Sequence, residues 1–527
     1  MPAYYLEALT VALGLLLLMV EAFGPSQSKK LVGFSAAAGL TFILILSFFA
    51  IGPDQAKEGS TWGDWTIWKS FYAFDSLARF YKGFALVTTI LVILMSIDFR
   101  SVLSKFTDFP ESENGTGEYY CLPIFACAGM MWMASAKDLA GAFVALELVT
   151  ITFYILVAYM RRNVGSLEAG VKYLILGALS TGFLVYGIAW IYGTTGTMNL
   201  AEIANFLSPA NQLAPLVGDV GTPAAALSTG TETQEFVANA ANVGINTTPL
   251  LFGIALVLIA MGFKIGAVPM QVWIPDVYQG APTPTTAFLS VGSKAAGFIL
   301  LIRFLDPLLQ PGSPVATQVT MMLAIMAGAT LVFGNLAAIG QSNFKRLLAY
   351  SSIAHAGFLV LALAAWKGES DTSITSVNAV SFYLATYLLM TLASFFVLAQ
   401  VRVQDGSDQI DAFNGLGKRN PVLAIGMTVI MAALAGVPLT AGFIGKFFVF
   451  SLAVEAGLWW GVAFAFIGAA AGFYYYFKII RAIWWESPGD AAKPLVLPQI
   501  TRACVVGLTL AVLVLGVWPQ PILWLLG

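Results

Sequence analysis

Apolar runs of about 20 residues, parted by short polar or basic stretches, follow one another along the whole chain. A helix that crosses a hydrocarbon layer about 30 Å thick needs that length at 1.5 Å per residue. The runs predict about fourteen membrane helices, at roughly 3–23, 31–51, 80–97, 119–136, 138–160, 167–193, 248–278, 284–306, 318–340, 345–366, 376–401, 420–452, 457–484 and 497–526. Two of them, 248–278 and 420–452, are too long for one ordinary crossing, and each holds a central proline, Pro269 and Pro438. Proline removes a helix hydrogen bond and clashes with the preceding turn. Each run is therefore expected to be a broken helix, two half-helices joined by unwound backbone. The expected fold class is an all-α polytopic membrane protein.

The two broken runs echo each other. "GAVPMQVW" in helix 7 resembles "AGVPLTAGF" in helix 12, five helices later. An odd offset reverses the direction of crossing, so helices 4–8 and 9–13 are expected to be two inverted five-helix repeats. The expected division is 1–118 for helices 1–3, 119–306 for the first repeat, 307–484 for the second and 485–527 for helix 14. An external loop at 194–247, rich in Ala, Gly and Thr, reads as a surface elaboration. Basic residues follow helices 1, 3, 5, 9, 11 and 13: Lys29, Lys30, Arg100, Lys105, Arg161, Arg162, Lys345, Arg346, Arg402, Lys418, Arg419, Arg481, Lys493 and Arg502. Loop 194–247 holds none. The excess of Lys and Arg on one side makes that side cytoplasmic and puts both termini on the periplasmic side of a bacterial plasma (inner) membrane.

Composition agrees. Of 527 residues 58% are hydrophobic and only 10% charged, against about 25% charged in soluble domains. The net charge of −2 argues against a nucleic-acid partner. A single histidine excludes a multi-histidine metal or haem centre. Cys121, Cys127 and Cys504 lie in or at the ends of apolar runs with neither disulfide nor zinc spacing, and read as small core residues. With no dinucleotide fingerprint and no phosphate loop, no cofactor is expected on this chain. Glu7 near the start and the absence of a basic leader make the first run a membrane helix rather than a cleaved signal.

Charges inside the apolar runs are the candidate chemistry. They are Glu147 in helix 5, Lys172 in helix 6, Lys264 just before the break in helix 7, Lys294 in helix 8, His355 in helix 10 and Lys446 just after the break in helix 12. Each ionised group at mid-bilayer costs about 2.5–3.5 kcal/mol. Four lysines would together cost on the order of 10 kcal/mol, so they must face protein or water and have partners. Plainer readings stand beside the functional one. Lys172, near its helix end, can snorkel to the surface; His355 can be a satisfied core histidine; Glu147 can be a structural ion-pair partner. Together the six make a plausible proton relay, because burial and a nearby carboxylate shift a lysine in opposite directions. A helix break admits water and ends in carbonyls that favour a nearby cation, which joins Pro269 and Lys264 in one device. The buried carboxylates are too few for a sodium cage.

"GFKIGAVPMQVWIPDVYQGAPTPTTAFLSVGSKAAGF", "KRLLAYSSIAHAGF" and "AGVPLTAGFIGKF" resemble the antiporter-like membrane subunits of bacterial NADH–quinone oxidoreductase, respiratory complex I. The resemblance spans essentially the whole chain. It implies fourteen helices, inverted five-helix repeats and breaks in helices 7 and 12. It implies that Glu147 and Lys264 form a coupled pair, that Lys172 modulates it, and that Lys294 and His355 continue a central relay. Lys446 would connect to a bulk phase or a neighbouring subunit. A lysine at 446 disfavours the subunit M family, and a chain stopping just past helix 14 disfavours subunit L with its long lateral helix. The subunit N family remains. The implied role is a proton-translocating subunit of the NADH:quinone oxidoreductase, with no redox centre of its own. Flavin, iron–sulfur clusters and quinone would sit on partner subunits. Its neighbours would be the antiporter-like subunit M, the small subunit K and lipids. A cation/proton antiporter subunit, or a related quinone oxidoreductase fed by another donor, are the alternatives.

Overall fold

A computed structural model describes residues 1–23, 29–53, 66–107, 115–208, 246–368, 374–488 and 494–526. Most of loop 194–247 lies outside these residues. The described part is nearly all helix, 82%, with no strands among the described residues. Among the described residues, twelve helices are long and apolar enough to cross a membrane.

In chain order the main elements are α1 (Tyr5–Phe23), α2 (Lys29–Ser47), α3 (Ser76–Leu103), α4 (Glu118–Ser135), α5 (Leu139–Val157) and α6 (Val164–Thr195). There follow α7a (Thr248–Ile265), α7b (Ile274–Gly280), α8 (Thr283–Leu308), α9 (Ala316–Ile339), α10 (Phe344–Ala364) and α11 (Ser376–Asp405). The last are α12a (Pro421–Ala435), α12b (Ala441–Glu455), α13 (Trp459–Trp484) and α14 (Gln499–Val517). Helix starts carry the expected caps: Asp75 accepts from the Ala78 N–H at 2.8 Å, Asp138 from Gly141 at 2.7 Å and Asn343 from Arg346 at 3.1 Å.

Several ends differ from the sequence reading. α3 begins at Ser76 rather than 80, because the cap at Asp75 starts it before the apolar run does. The last run splits: α14 ends at Val517 and a short helix, Gln520–Leu526, follows Pro519. The 194–247 stretch opens with the helix Leu200–Leu207, which packs on the far end of α8.

Both long runs break where the prolines fall. α7a closes on Gly266 in the left-handed region, φ 78°, and the N–H groups of Gly266 and Ala267 both return to the Gly262 carbonyl, at 2.9 and 2.8 Å. α12a closes the same way on Gly436, φ 94°, with the N–H groups of Gly436 and Val437 both 3.0 Å from the Ala432 carbonyl. Only glycine takes that conformation without a Cβ clash. The freed backbone at the first break is tied down by neighbours. Val268 N–H donates to Thr330 Oγ1 on α9 at 3.0 Å, and Trp273 Nε1 donates to the Phe263 carbonyl at 3.0 Å.

Burial grades across the bundle. The apolar windows of α8 and α10 are 94% buried, against 28% for α1 and α6. α8, α10 and α11 are thus the protein's own interior, and the outer helices present aliphatic and aromatic side chains outward. Close helix approach depends on small residues, as lipid-bathed bundles require. A Cβ added to Gly334 of α9 would stand 2.5 Å from the Ala354 nitrogen and 2.9 Å from its Cα. Gly334→Ala is expected to push α9 off α10 next to His355 and to lower stability by about 1–3 kcal/mol. Thermal unfolding of the detergent-solubilised protein checks this; an unchanged midpoint would refute it.

Candidate functional site

Of the six candidate charges, Lys264, Lys294, His355 and Lys446 are each no more than 7% exposed. Each meets oxygens of the protein.

Lys264, in the last turn of α7a, donates to Thr150 Oγ1 on α5; that hydroxyl in turn donates to the Leu146 carbonyl at 2.6 Å. Glu147 sits less than one turn from Thr150 and accepts from Thr181 Oγ1 of α6 at 2.9 Å. Glu147 and Lys264 are electrostatic neighbours. Among the described residues, however, no direct ion pair joins them. Lys264 hydrogen-bonds to Thr150 and Glu147 to Thr181, so the two expected partners reach different hydroxyls.

Lys294 follows a π-helical turn, Leu289–Ser293, that widens α8 just before it. Its ammonium donates to both the carbonyl and the Oγ of Ser352 on α10, and lies 5.3 Å from the centre of the Tyr387 ring. Ser352 Oγ is 3.3 Å from Tyr278 Oη, and Tyr387 Oη is 3.0 Å from Ser290 Oγ. His355, one turn along α10, is held from both sides: Nδ1 lies 2.7 Å from Tyr383 Oη and Nε2 lies 3.1 Å from Tyr476 Oη. Tyr476 in turn shares a hydrogen bond with Ser351. A run of hydroxyls and one imidazole thus fills the space between α8, α10, α11 and α13, beside the Lys294 ammonium.

Lys446 lies one turn into α12b and reaches back across the break. Its ammonium donates to the carbonyls of Leu434 (2.9 Å) and Ala435 (2.7 Å), the last of α12a. This is the cation-on-a-half-helix-end arrangement expected for Lys264, realised more directly at Lys446. Lys446 and Lys294 are both electrostatic neighbours of His355.

Lys172 lies apart from the four buried groups. Its side chain is 42% exposed and paired with Glu168 at 2.7 Å and with Asp276 at 2.8 Å. It does not touch Glu147 or Lys264. Near the start of α6 the chain has not yet entered the buried interior, so the ammonium reaches outward, as snorkelling predicts. Asp276 of α7b is also paired with Arg346 at 2.7 Å, and Asp408 with Arg402 at 3.1 Å and Lys345 at 3.6 Å. These groups line a cavity of about 530 Å³ at the basic-rich end of the bundle.

Sequence reasoning missed the hydroxyls: Tyr278, Tyr383, Tyr387, Tyr476, Ser351, Ser352, Thr150 and Thr181. A signal existed, since a tyrosine in mid-run must find a partner for its hydroxyl, and two serines precede His355 by one turn. The described residues hold no group of three or more His, Cys, Asp or Glu placed to bind a metal.

Residues 136–472 match the family model described as "NADH:quinone oxidoreductase/Mrp antiporter, TM". The chain is 36% identical over 519 residues to the NADH-quinone oxidoreductase subunit N of Heliobacterium modesticaldum, covering 98% of this chain and 96% of that one. The chain belongs to this subunit N family. A chain of respiratory complex I from Thermus thermophilus superposes with a TM-score of 0.72 at 28% identity, over 98% of both chains. A chain of the Mrp complex from Dietzia sp. shares the fold alone, TM-score 0.75 at 19% identity over 99% and 96%. The family match leaves α1, α2, α3, α4 and α14 outside it and includes all six candidate charges.

Tyr383→Phe leaves one nitrogen of the buried imidazole without its partner. The expected cost is about 1–3 kcal/mol, read as a lower unfolding midpoint, with Tyr476→Phe behaving alike. No change in either variant would mean that His355 is not held by these hydroxyls.

Proposed function

We propose that this chain translocates protons as a membrane-arm subunit of an NADH–quinone oxidoreductase in a bacterial inner membrane. Its relatives bear that complex's name, and the observation that carries the reading is the buried cluster of Lys294, Ser352, Ser351, Tyr476, His355 and Tyr383. A site with ammonium, imidazole and hydroxyl groups in mutual reach can pass a proton without moving a heavy atom far. Lys264 at the first break and Lys446 at the second are the stations on either side of it. Glu147 biases Lys264, and Lys172, with Asp276 and Arg346, shapes the charged mouth at 530 Å³.

In this reading NADH oxidation and quinone reduction belong to partner subunits that carry flavin and iron–sulfur clusters. The membrane neighbours are the antiporter-like subunit M and the small subunit K. Helices 4–8 and 9–13 act as inverted repeats, and the matching glycine-capped breaks at Gly266 and Gly436 support that view. The basic-rich end faces the cytoplasm, which places both termini in the periplasm.

The test isolates this chain from native membranes in mild detergent and asks whether flavin and iron–sulfur subunits accompany it and oxidise NADH with quinone. Recovery with other membrane subunits alone, without redox cofactors, would reverse the reading in favour of a cation/proton antiporter. In the redox complex, Lys264→Ala and Lys294→Met are each expected to lower proton pumping about ten-fold or more with assembly intact. Full pumping in either variant removes that lysine from the mechanism.

A further inference from the structure

A second buried charge cluster lies outside the line of six and outside the family match. Glu7 sits in the first turn of α1 and is 5% exposed; Lys82 sits about two turns into α3 and is fully buried. The Lys82 ammonium donates to Glu7 Oε1 and, at 2.6 Å, to Tyr72 Oη. Tyr72 Oη is also 3.2 Å from Glu7 Oε2. The ammonium stands 4.7 Å from the centre of the Tyr72 ring and 5.5 Å from that of Phe74. Read from the apolar run starting at 80, Lys82 looks like a helix-end charge, which is why sequence reasoning passes over it; the earlier start of α3 carries it inward.

This cluster lies toward the basic-poor end, where Tyr72 pairs with Ala136 and Asp138 with Asn199. The charged mouth at Lys172 and Asp276 lies at the other end. Two further charges are its electrostatic neighbours, Arg303 and Asp75. Arg303 binds both Asp75 carboxylate oxygens, at 2.6 and 2.7 Å, and also the Ala134 carbonyl. It stands on α8, about two and a half turns beyond Lys294. One helix therefore carries the central ammonium and, at its far end, a guanidinium that is an electrostatic neighbour of Lys82.

A buried ion pair is seldom retained for stability, since an apolar pair of similar volume does as well or better. Here an acid, an amine and a phenol share one buried pocket. We propose that Glu7, Lys82 and Tyr72 form a second proton-exchange site of this chain, at its basic-poor end. The step is a transfer within the pair: an N–H bond of the Lys82 ammonium breaks, an O–H bond forms on Glu7, and both groups become neutral. A proton arriving on the Lys82 amine restores the ammonium, and the Glu7 acid then releases the other proton. The net result is one proton taken up and one given out. The site rests on the reading that this chain moves protons.

The test uses the whole complex in liposomes and measures protons moved per NADH oxidised. Glu7→Leu combined with Lys82→Leu removes both charges together and leaves no unpaired ion. It is expected to assemble and oxidise NADH while pumping falls by about half or more. Glu7→Gln keeps the shape and one acceptor oxygen for Lys82, and is expected to lower pumping likewise and to delete a carboxyl band from the infrared difference spectrum of turnover. Pumping at the unaltered ratio in either assembled variant overturns the proposal. So does failure of both variants to assemble, which would make the pair a structural clamp. Lys294→Met and Lys264→Ala run in parallel separate the two readings: full pumping in both undermines translocation by this chain, whereas their loss of pumping beside normal pumping in the Glu7 variants removes only the second site.

Discussion

An ammonium group inside a membrane protein needs oxygen within reach, and the interior of this molecule is arranged around that requirement. Lys264, Lys294 and Lys446 each lie within the span, where an unpartnered charge costs several kcal/mol. Among the described residues, no carboxylate is in direct contact with any of them. Their acceptors are a threonine hydroxyl, a serine with its carbonyl, and two helix-end carbonyls. Neutral acceptors satisfy the donor without fixing the charge, so the same amine can persist with or without its proton.

The breaks in α7 and α12 supply part of that oxygen, and they do so differently. Both end on a left-handed glycine with the same doubled return of N–H groups to one carbonyl. In α12 the lysine comes after the break and folds back onto the carbonyls of Leu434 and Ala435. In α7 it comes before the break, and the freed groups go instead to Thr330 and to the Trp273 ring nitrogen. The α7 lysine is left to look sideways, toward Thr150 and Glu147. One backbone device thus yields a lysine tied to its own helix and a lysine facing a neighbour.

How much of this the sequence discloses follows from what each signal measures. Hydropathy reports burial in lipid, so the helices and both breaks were legible, the breaks because Pro269 and Pro438 sit in runs too long to cross once. Charge in an apolar run reports a group that must find partners inside the protein, so the burial of Lys264, Lys294, His355 and Lys446 was legible too. Depth was misjudged wherever a polar cap, rather than an apolar residue, starts the helix. Asp75 draws α3 back to Ser76 and buries Lys82; the start of α6 leaves Lys172 in ion pairs at the surface. The tyrosines were illegible as partners because an aromatic residue in an apolar run reads as packing. Which hydroxyl meets which nitrogen depends on four helices meeting, and the π turn before Lys294 has no local sequence mark.

The way the hydroxyls are shared explains why one histidine suffices. An imidazole held on one side alone can rotate and lose register with the next donor. His355 is held on both nitrogens, by Tyr383 and Tyr476, and Tyr476 leads on to Ser351. Ser352, next in the chain, takes the Lys294 ammonium. Two adjacent serines on α10 thus face two different partners, the tyrosine on α13 and the lysine on α8. The backbone of α10 fixes their spacing, and Gly334 lets α9 press against that same backbone. A change in the charge of Lys294 would be felt at His355 through this short rigid segment, with no need for a helix to move.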